Sequence, residues 1–321
     1  MPLRQVFIRV QFFLLLLIGA GLHVEGSDEA TPVKKIVLIA GKKSHGPGAH
    51  DYERTMRLFK VMLDNSNVKD RVRAEWHENG WPENPRTLDD ADTIVFYSDG
   101  RDGDKFTDVP FVVGDRLRTL GRQMQRGCGM MTMHFSTFVT DQEGEKVLEW
   151  VGGYFGWQDD KGRANWFSKI SAGKTLELVT HTHPISRGVA EAIPADDEIY
   201  WKLRFRPQDP RLVPIWRVPE FKDPDDAKKT PLHNVCAWAV ERQDGGRGFG
   251  TSVGHSYRLW QDENIRRLFL NAIVWTARAE VPPAVHRQKR RREGLSRCHP
   301  AGCPTLSVAP GRQCHPCRRG I

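Results

Sequence analysis

The chain of 321 residues has a formal net charge of +8, and 39% of its residues are hydrophobic. Residues 285–321 contain nine basic residues and one acidic residue, which account for the whole excess, so residues 1–284 are neutral overall. A neutral domain gives no electrostatic reason to expect nucleic acid as a partner. Residues 27–284 have the length of a single large domain, with ample chain to bury a core.

Residues 1–26 have the pattern of a signal peptide. Arg4 and Arg9 form a basic start, 12–21 is an apolar run, and small residues at 24–26 offer a cleavage site before Ser27. The apolar run is too short for a comfortable bilayer span, which needs about 20 residues. The pattern therefore predicts an exported protein, periplasmic or extracellular, with no stable membrane span after cleavage. A retained N-terminal membrane anchor is the alternative.

The first half of the domain alternates between strand and helix patterns. Strands are predicted at 35–40, 72–76 and 93–97 and in the apolar stretch 129–136, and helices at 50–63, 111–124 and 145–151. Alternation of this kind is typical of βαβ units, which build a parallel sheet with helices on both faces. The predicted class is a doubly wound α/β fold.

The second half of the domain is dominated by strands. They are predicted at 176–179, 199–205, 213–217, 235–241 and 248–253. Gln243-Asp244-Gly245-Gly246 predicts a tight hairpin turn between the last two, and 264–277 has the period of an amphipathic helix. We expect an antiparallel β extension that rejoins the sheet before this last helix.

Four histidines follow predicted strands. Parallel strands end at one edge of a sheet, where such folds bind ligands, so distant residues can meet there. Imidazole suits both zinc coordination and proton transfer near neutral pH. We expect a divalent metal such as zinc and no nucleotide cofactor. The candidate metal ligands are His45, His50, His134 and His255. As alternatives, His134 can be a hydrogen-bonded core residue and His50 can order the start of a helix.

Two acids and several aromatic residues are expected near the same edge. Asp99 follows the third strand, and Glu198 precedes an apolar segment; either can orient a histidine, bind a metal or accept a proton. For Asp99, a structural role in a Ser-Asp-Gly turn is equally possible. The candidate catalytic residues are thus His134, His255, Glu198 and Asp99. Aromatic side chains suit a sugar-binding cleft, although they also fill cores. The candidate substrate-binding residues are Trp81, Tyr97, Trp201 and Tyr257.

Six segments of the sequence stand out in their order along the chain. They are Gly80-Trp81-Pro82-Glu83, 94–100, His183-Pro184-Ile185, 197–200, 249–257 and 271–276. Together they resemble the ThuA-like, or trehalose-utilisation, family, and the resemblance covers 34–276. The resemblance implies the fold of class I glutamine amidotransferases, which is a flavodoxin-like three-layer sandwich with a mainly parallel central sheet. It also implies a link to trehalose and related sugars.

This sequence lacks the nucleophilic cysteine that class I glutamine amidotransferases use. Those enzymes place a cysteine nucleophile at a sharp strand-to-helix elbow, whereas this sequence has His134-Phe135-Ser136 there. Cys128 and Cys236 are expected in the core. Glutamine hydrolysis through a thiolate is therefore not expected. Ser136 with His255 as its base is a minor alternative nucleophile.

Residues 285–321 form a basic, cysteine-containing tail that is predicted to be disordered. Its Cys and His residues are of the type found in zinc knuckles or disulfides, but few apolar residues are available to pack around such a site.

Two functions remain open from the sequence. One is a carbohydrate-processing enzyme, a hydrolase or isomerase acting on trehalose or a related glycoside or keto-sugar through the histidine-rich edge. The other is a noncatalytic carbohydrate-binding or scaffold domain, because a fold can persist after its chemistry is lost.

Overall fold

The computed structural model describes residues 32–101, 109–156, 168–222 and 232–283. The predicted signal peptide at 1–26 and tail at 285–321 lie outside these ranges and stay predictions. Within the described ranges, no helix has both the length and the apolar character needed to cross a bilayer.

The described residues form eleven strands and four α-helices. Strands and helices alternate in the first half of the domain, and strands dominate the second half. The helices are α1 (Tyr52–Asp64), α2 (Arg116–Gln125), α3 (Asp141–Trp150) and α4 (Glu263–Thr276). The strands are β1 (Lys34–Ala40), β2 (Val72–His77), β3 (Thr93–Tyr97), β4 (Gly129–Met133), β5 (Gly153–Tyr154), β6 (Lys169–Leu178), β7 (Ala192–Trp201), β8 (Arg204–Phe205), β9 (Leu212–Arg217), β10 (Val235–Glu241) and β11 (Arg247–Thr251).

Nine strands form one mixed sheet in the order β2-β1-β3-β4-β11-β10-β9-β6-β7. The first five of these are mutually parallel, and every later pairing is antiparallel. The predicted parallel sheet with an antiparallel β extension is thus confirmed. The predicted hairpin joins β10 to β11, and Gly245 adopts the positive φ of 80° that its turn requires.

The parallel strands are apolar throughout because both of their faces are covered. In β1, Ile36 and Leu38 face a core shared with α1 and α4, whereas Val37 and Ile39 face a second core shared with α2 and α3. Two helical layers therefore enclose the sheet, and the fold is the three-layer α/β sandwich expected from the sequence.

Several predicted elements differ from the structure in their bounds, and two of them are interrupted. The strand stretch expected at 129–136 ends at Met133, after which a 3₁₀ turn begins, and the strand expected at 176–179 begins at Lys169. The helix expected at 111–124 begins only at Arg116, because Pro110–Val112 forms a separate 3₁₀ turn and Gly114 has a positive φ of 58°. The strand expected at 199–205 is split, because the backbone reverses at Lys202, where φ is 54°, between β7 and β8. Apolar residues continue through both breaks, so hydrophobic periodicity does not reveal them.

Candidate metal centre

The carboxyl ends of four parallel strands lie side by side at one edge of the sheet. The loop after β1 carries His45 and His50, and Asp99 follows β3. His134 follows β4 directly, and His255 lies four residues after the end of β11. The topology therefore places these residues at the edge where the sequence predicts them.

Three of the histidines and one acid form a single cluster. The candidate donor atoms of His50, His134, His255 and Glu198 all lie within 4.8 Å of one another. His50 Nε2 is 3.1 Å from His134 Nε2 and 2.9 Å from His255 Nδ1. Glu198 Oε1 is 3.5 Å from His255 Nδ1 and 3.9 Å from His134 Nε2. Residues from four separate parts of the sequence thus converge on one point.

The ring of His134 is fixed by its hydrogen bonds. Its Nδ1 lies 2.7 Å from the carbonyl oxygen of Ser252, which can only accept, so Nδ1 carries the proton and Nε2 keeps its lone pair. The Tyr200 hydroxyl then donates to Nε2 over 2.7 Å, and the Tyr200 ring stacks on the imidazole. Nε2 is therefore the atom through which His134 can bind a metal.

The ring of His50 is oriented through two further groups. The Tyr52 hydroxyl donates to Asp99 Oδ1 over 2.5 Å and so accepts from His50 Nδ1, which is 2.8 Å away. This arrangement leaves the lone pair of His50 Nε2 facing the cluster. Carboxylates that orient histidines in this manner are common behind metal sites.

His45 is oriented by the same carboxylate. The Ser44 hydroxyl donates to Asp99 Oδ1 over 2.6 Å and lies 2.7 Å from His45 Nδ1. The His45 ring packs on His50 with centroids 3.7 Å apart. His45, His50 and Asp99 thus form a group that adjoins the four-residue cluster through His50.

The backbone at the two buried histidines is strained. His50 and His134 both have a φ of 48°, in the left-handed region that side chains other than glycine rarely adopt. Such a conformation costs about 1–3 kcal/mol and persists only where the surrounding structure enforces it. His134 follows β4 directly, and its strained backbone aims the ring into the cluster.

Asp197 holds the segment that carries His255. Its buried carboxylate accepts hydrogen bonds of 2.9, 3.1 and 2.9 Å from the backbone N–H groups of Gly254, His255 and Ser256. Burial raises the pKa of Asp197 to about 6, although these three bonds favour its charge. Asp197 therefore fixes the position of a ligand without belonging to the cluster.

The protonation states suit a cation. Burial, reinforced by the nearby His50 ring, lowers the pKa of His134 well below its usual range, and burial also lowers that of His50. The hydrogen bond between His255 and Glu198 raises the pKa of His255 and lowers that of Glu198. Burial alone would raise the pKa of Asp99, but the His50 ring beside it and the hydrogen bonds that it accepts from Ser44 and Tyr52 outweigh burial and lower it.

The donor set of the cluster fits a divalent metal. The Nε2 lone pairs of His50 and His134 are 3.1 Å apart, and two acceptors cannot hydrogen-bond to each other, but both can bind one cation. Imidazole nitrogens and a carboxylate oxygen are ligands that zinc uses in proteins. The cluster can therefore hold a metal ion, and no atom in it identifies zinc among the possible ions.

The predicted aromatic residues lie in different surroundings. Tyr97 is buried beside the site, and its hydroxyl donates to the carbonyl oxygen of Gly254. Trp201 is buried against Phe221 on the opposite face of β7 from Tyr200. Trp81 stacks on Phe96 and under Arg116 in the second core, and Tyr257 packs under Arg54. The structure thus gives each of these four residues a packing partner.

The alternative nucleophiles are engaged or buried. Ser136 is fully buried, and its hydroxyl accepts a 2.7 Å hydrogen bond from the backbone N–H of Ser98. Burial raises the pKa of Cys128 to about 12 and also raises that of Cys236, so neither thiol readily ionises. These surroundings agree with the expectation that no thiolate acts at this edge.

Sequence reasoning did not assign roles to three groups that shape the site. Tyr200 contacts His134, Tyr52 links His50 to Asp99, and Asp197 anchors the His255 segment. For Tyr200 a signal was present, because residues two apart on a strand share a face and Glu198 was already a candidate.

Comparisons with known proteins identify the family of this chain. The family model ThuA, described as trehalose utilisation, matches residues 36–276. The structure resembles a ThuA-like protein from Parabacteroides merdae ATCC 43184, with a TM-score of 0.52, 18% identity, and coverage of 79% of this chain and 93% of that one. It also resembles a ThuA-like protein from Bacteroides uniformis ATCC 8492, with a TM-score of 0.51, 15% identity, and coverage of 78% and 94%. No curated protein is significantly similar to the sequence. Since the family model covers most of the chain, this protein belongs to the ThuA family.

Proposed function

We propose that this protein is a metal-dependent enzyme that acts on a carbohydrate, and that His50, His134, His255 and Glu198 hold the metal. The convergence of their donor atoms within 4.8 Å carries the proposal. The description of the family as trehalose utilisation supports a sugar as the substrate.

When bound, a divalent cation would supply Lewis-acid polarisation of a hydroxyl or carbonyl oxygen of the sugar. The residues of the chain have separate roles. Asp99 orients His50 through the Tyr52 hydroxyl, and the Ser252 carbonyl orients His134. These two contacts keep both Nε2 lone pairs toward the cluster.

Tyr200 supplies a hydrogen-bond donor that the sequence did not predict. Burial raises its pKa well above the usual value, so the hydroxyl keeps its proton. Its acceptor is His134 Nε2, the same lone pair that a metal would take. Were Nε2 occupied by a metal, the Tyr200 hydroxyl would be free to donate a hydrogen bond to a substrate oxygen and, keeping its proton, stabilise negative charge that develops there.

The proposal is tested by metal analysis of the full chain by inductively coupled plasma mass spectrometry. We expect a stoichiometric divalent metal in the wild type and its loss in His134→Ala and His255→Ala. His183→Asn is the matched control, because His183 lies at the start of a 3₁₀ turn against Trp275 rather than in the cluster. Metal retained by both cluster variants would belong elsewhere, for example to the Cys and His residues of 298–317, and would contradict the proposal.

Activity is tested by incubating the metal-loaded protein with trehalose and its oxidised derivatives and detecting products by NMR. Turnover that is lost with the metal supports the enzyme. Stoichiometric metal and sugar binding without turnover would favour the noncatalytic binding domain instead, a function consistent with the absence of a cysteine from the elbow.

A further inference from the structure

The four residues of the cluster differ in exposure. The side chains of His50 and His134 are 3% and 0% exposed, whereas those of His255 and Glu198 are 25% and 38% exposed. Glu198 and His255 are therefore the members of the cluster that a molecule at the described surface can contact.

A cavity of about 370 Å³ lies beside Glu198. It is bounded by the β6–β7 hairpin and by the segment after β11, and its lining includes Ile170, Ala172, Asp196, Glu198, Ser256 and Arg258. This volume is within the range of small-molecule sites, about 300–1,000 Å³.

The cavity and the cluster share one face of the hairpin. Ala172 pairs with Glu198 across β6 and β7, and Ile170 pairs with Tyr200. Directly paired residues project to the same side of a sheet, so Ile170 and Ala172 lie on the side where Glu198 and Tyr200 meet the histidines. Glu198 is thus a wall of the cavity and a member of the cluster.

The lining combines apolar and polar groups. Ile170 is exposed, at 37%, and with Ala172 it offers an apolar surface. At the rim, Arg258 donates to Asp196 over 2.7 Å, and this exposed pair presents both donors and acceptors. A sugar ring has C–H faces and hydroxyl edges, and adjacent hydroxyls can donate to a carboxylate and accept from a guanidinium.

We propose that this cavity is the subsite that holds a neutral hexopyranose unit of the substrate, with one of its oxygens directed past Glu198 toward the cluster. This inference rests on the proposed carbohydrate function and adds the place and the chemistry of sugar recognition. Ile170 and Ala172 contact the ring face, and Asp196, Arg258 and Ser256 bind hydroxyls.

The test measures trehalose binding to the full chain by isothermal titration calorimetry, with metal content measured on the same samples. Ala172→Trp fills the cavity from β6 and should weaken trehalose binding by at least about tenfold while leaving the metal content unchanged. Lys174→Trp is the matched control, because it adds the same side chain at an exposed position of the same strand outside the cavity lining, and it should bind like the wild type.

Arg258→Ala is a second variant that avoids any packing defect, since Arg258 is exposed. We expect it to weaken trehalose binding about three- to tenfold, the worth of one or two hydrogen bonds. Wild-type affinity in both Ala172→Trp and Arg258→Ala, or no binding of trehalose or glucose to the wild type, would overturn the subsite. The protein could instead contain no metal and still bind trehalose in a manner that Ala172→Trp and Arg258→Ala weaken. That result would support the subsite and contradict the proposed metal-dependent enzyme.

Discussion

At the residue scale, the Nε2 atoms of His50 and His134 lie 3.1 Å apart in a buried space, and each carries a lone pair. Each lone pair therefore needs a hydrogen-bond donor or a cation beside it. In the structure, His134 Nε2 is satisfied by the Tyr200 hydroxyl, and His50 Nε2 has His255 Nδ1 at 2.9 Å. A metal would replace both contacts. We therefore expect metal affinity to depend on these hydrogen-bonding neighbours in addition to the residues that bind the metal.

Tyr200→Phe should separate metal binding from turnover. Because the Tyr200 hydroxyl competes for His134 Nε2, its removal should leave metal affinity unchanged or raise it by up to about tenfold, the worth of one hydrogen bond. Turnover should fall by about a hundredfold or more if the hydroxyl stabilises charge on the substrate. Metal competition with a chelating dye and product NMR measure the two effects. Tyr154→Phe, which removes a hydroxyl bound to Asp141, is the control. Weaker metal binding in Tyr200→Phe would show that the tyrosine is itself a ligand.

Asp99→Asn should weaken the metal site although Asp99 is not in the four-residue cluster. The substitution removes the charge that Tyr52 relays to His50, and loss of such a supporting carboxylate typically costs about 10–100-fold in metal affinity. The same dye competition measures it. The matched control is Asp51→Asn in the same loop, because the Asp51 carboxylate pairs with Lys43 and does not orient a histidine. An equal loss of affinity in both variants would argue for a general disturbance of the loop.

At the scale of elements, the β6–β7 hairpin completes a site that the parallel strands begin. The parallel strands supply the histidines, and β7 contributes Glu198 and Tyr200 from the far edge of the sheet. The Ser252 hydroxyl donates to the carbonyl oxygen of Tyr200, and Asp197 binds the backbone after β11. These contacts bring the end of β7 onto the edge where the histidines lie.

The strands, the final helix and the β10–β11 hairpin could be predicted because periodicity and turn residues are local signals. The convergence of His134 and His255 could also be predicted from the sequence, because parallel strands end at one edge of a sheet. Glu198 of β7 was also expected at this edge, whereas the contact of its strand neighbour Tyr200 with His134 was not predicted, because it depends on tertiary packing. The positive φ of His50 and His134 could not be predicted from the sequence, because tertiary contacts impose it.

The turn that begins at His183 should make stability depend on pH. His183 Nδ1 accepts a hydrogen bond from the backbone N–H of Ile185, which requires a neutral ring, and burial lowers the pKa of His183 to about 4. Since this pKa is below the usual value of 6.5, the contribution of His183 to folding is complete above pH 6.5 and is lost as the pH falls toward 4.

His183→Asn keeps a capping oxygen but cannot titrate in this range. The free energy of unfolding, measured with urea at several pH values between about 7 and 4.5, should therefore fall less steeply in the variant than in the wild type. The matched control is the same substitution at exposed His181. Identical slopes for the wild type and His183→Asn would mean that the ring is not held neutral by the fold.

At the scale of the whole molecule, a metal in this cluster would join separate parts of the chain. Its ligands come from the loop after β1, the end of β4, strand β7 and the segment after β11. These positions span the parallel and antiparallel halves of the sheet. The unfolded chain does not bring the four residues together, so metal binding should stabilise the folded state as a unit.

Zinc in excess should therefore raise the melting temperature of the full chain. A ligand that binds only the folded state at about 100 times its Kd adds about 2.7 kcal/mol. For a domain of this size, that corresponds to roughly 5–10 °C. Differential scanning calorimetry with and without zinc should show this shift in the wild type and in His183→Asn but not in His134→Asn, in which asparagine tolerates the left-handed backbone while the imidazole is lost. His45→Ala should keep most of the shift, because His45 adjoins the cluster only through His50. A shift of equal size in His134→Asn would mean that zinc stabilises the chain from another site, and the two halves of the sheet would then be joined by the β10–β11 pairing and by side-chain packing, without a metal in the cluster.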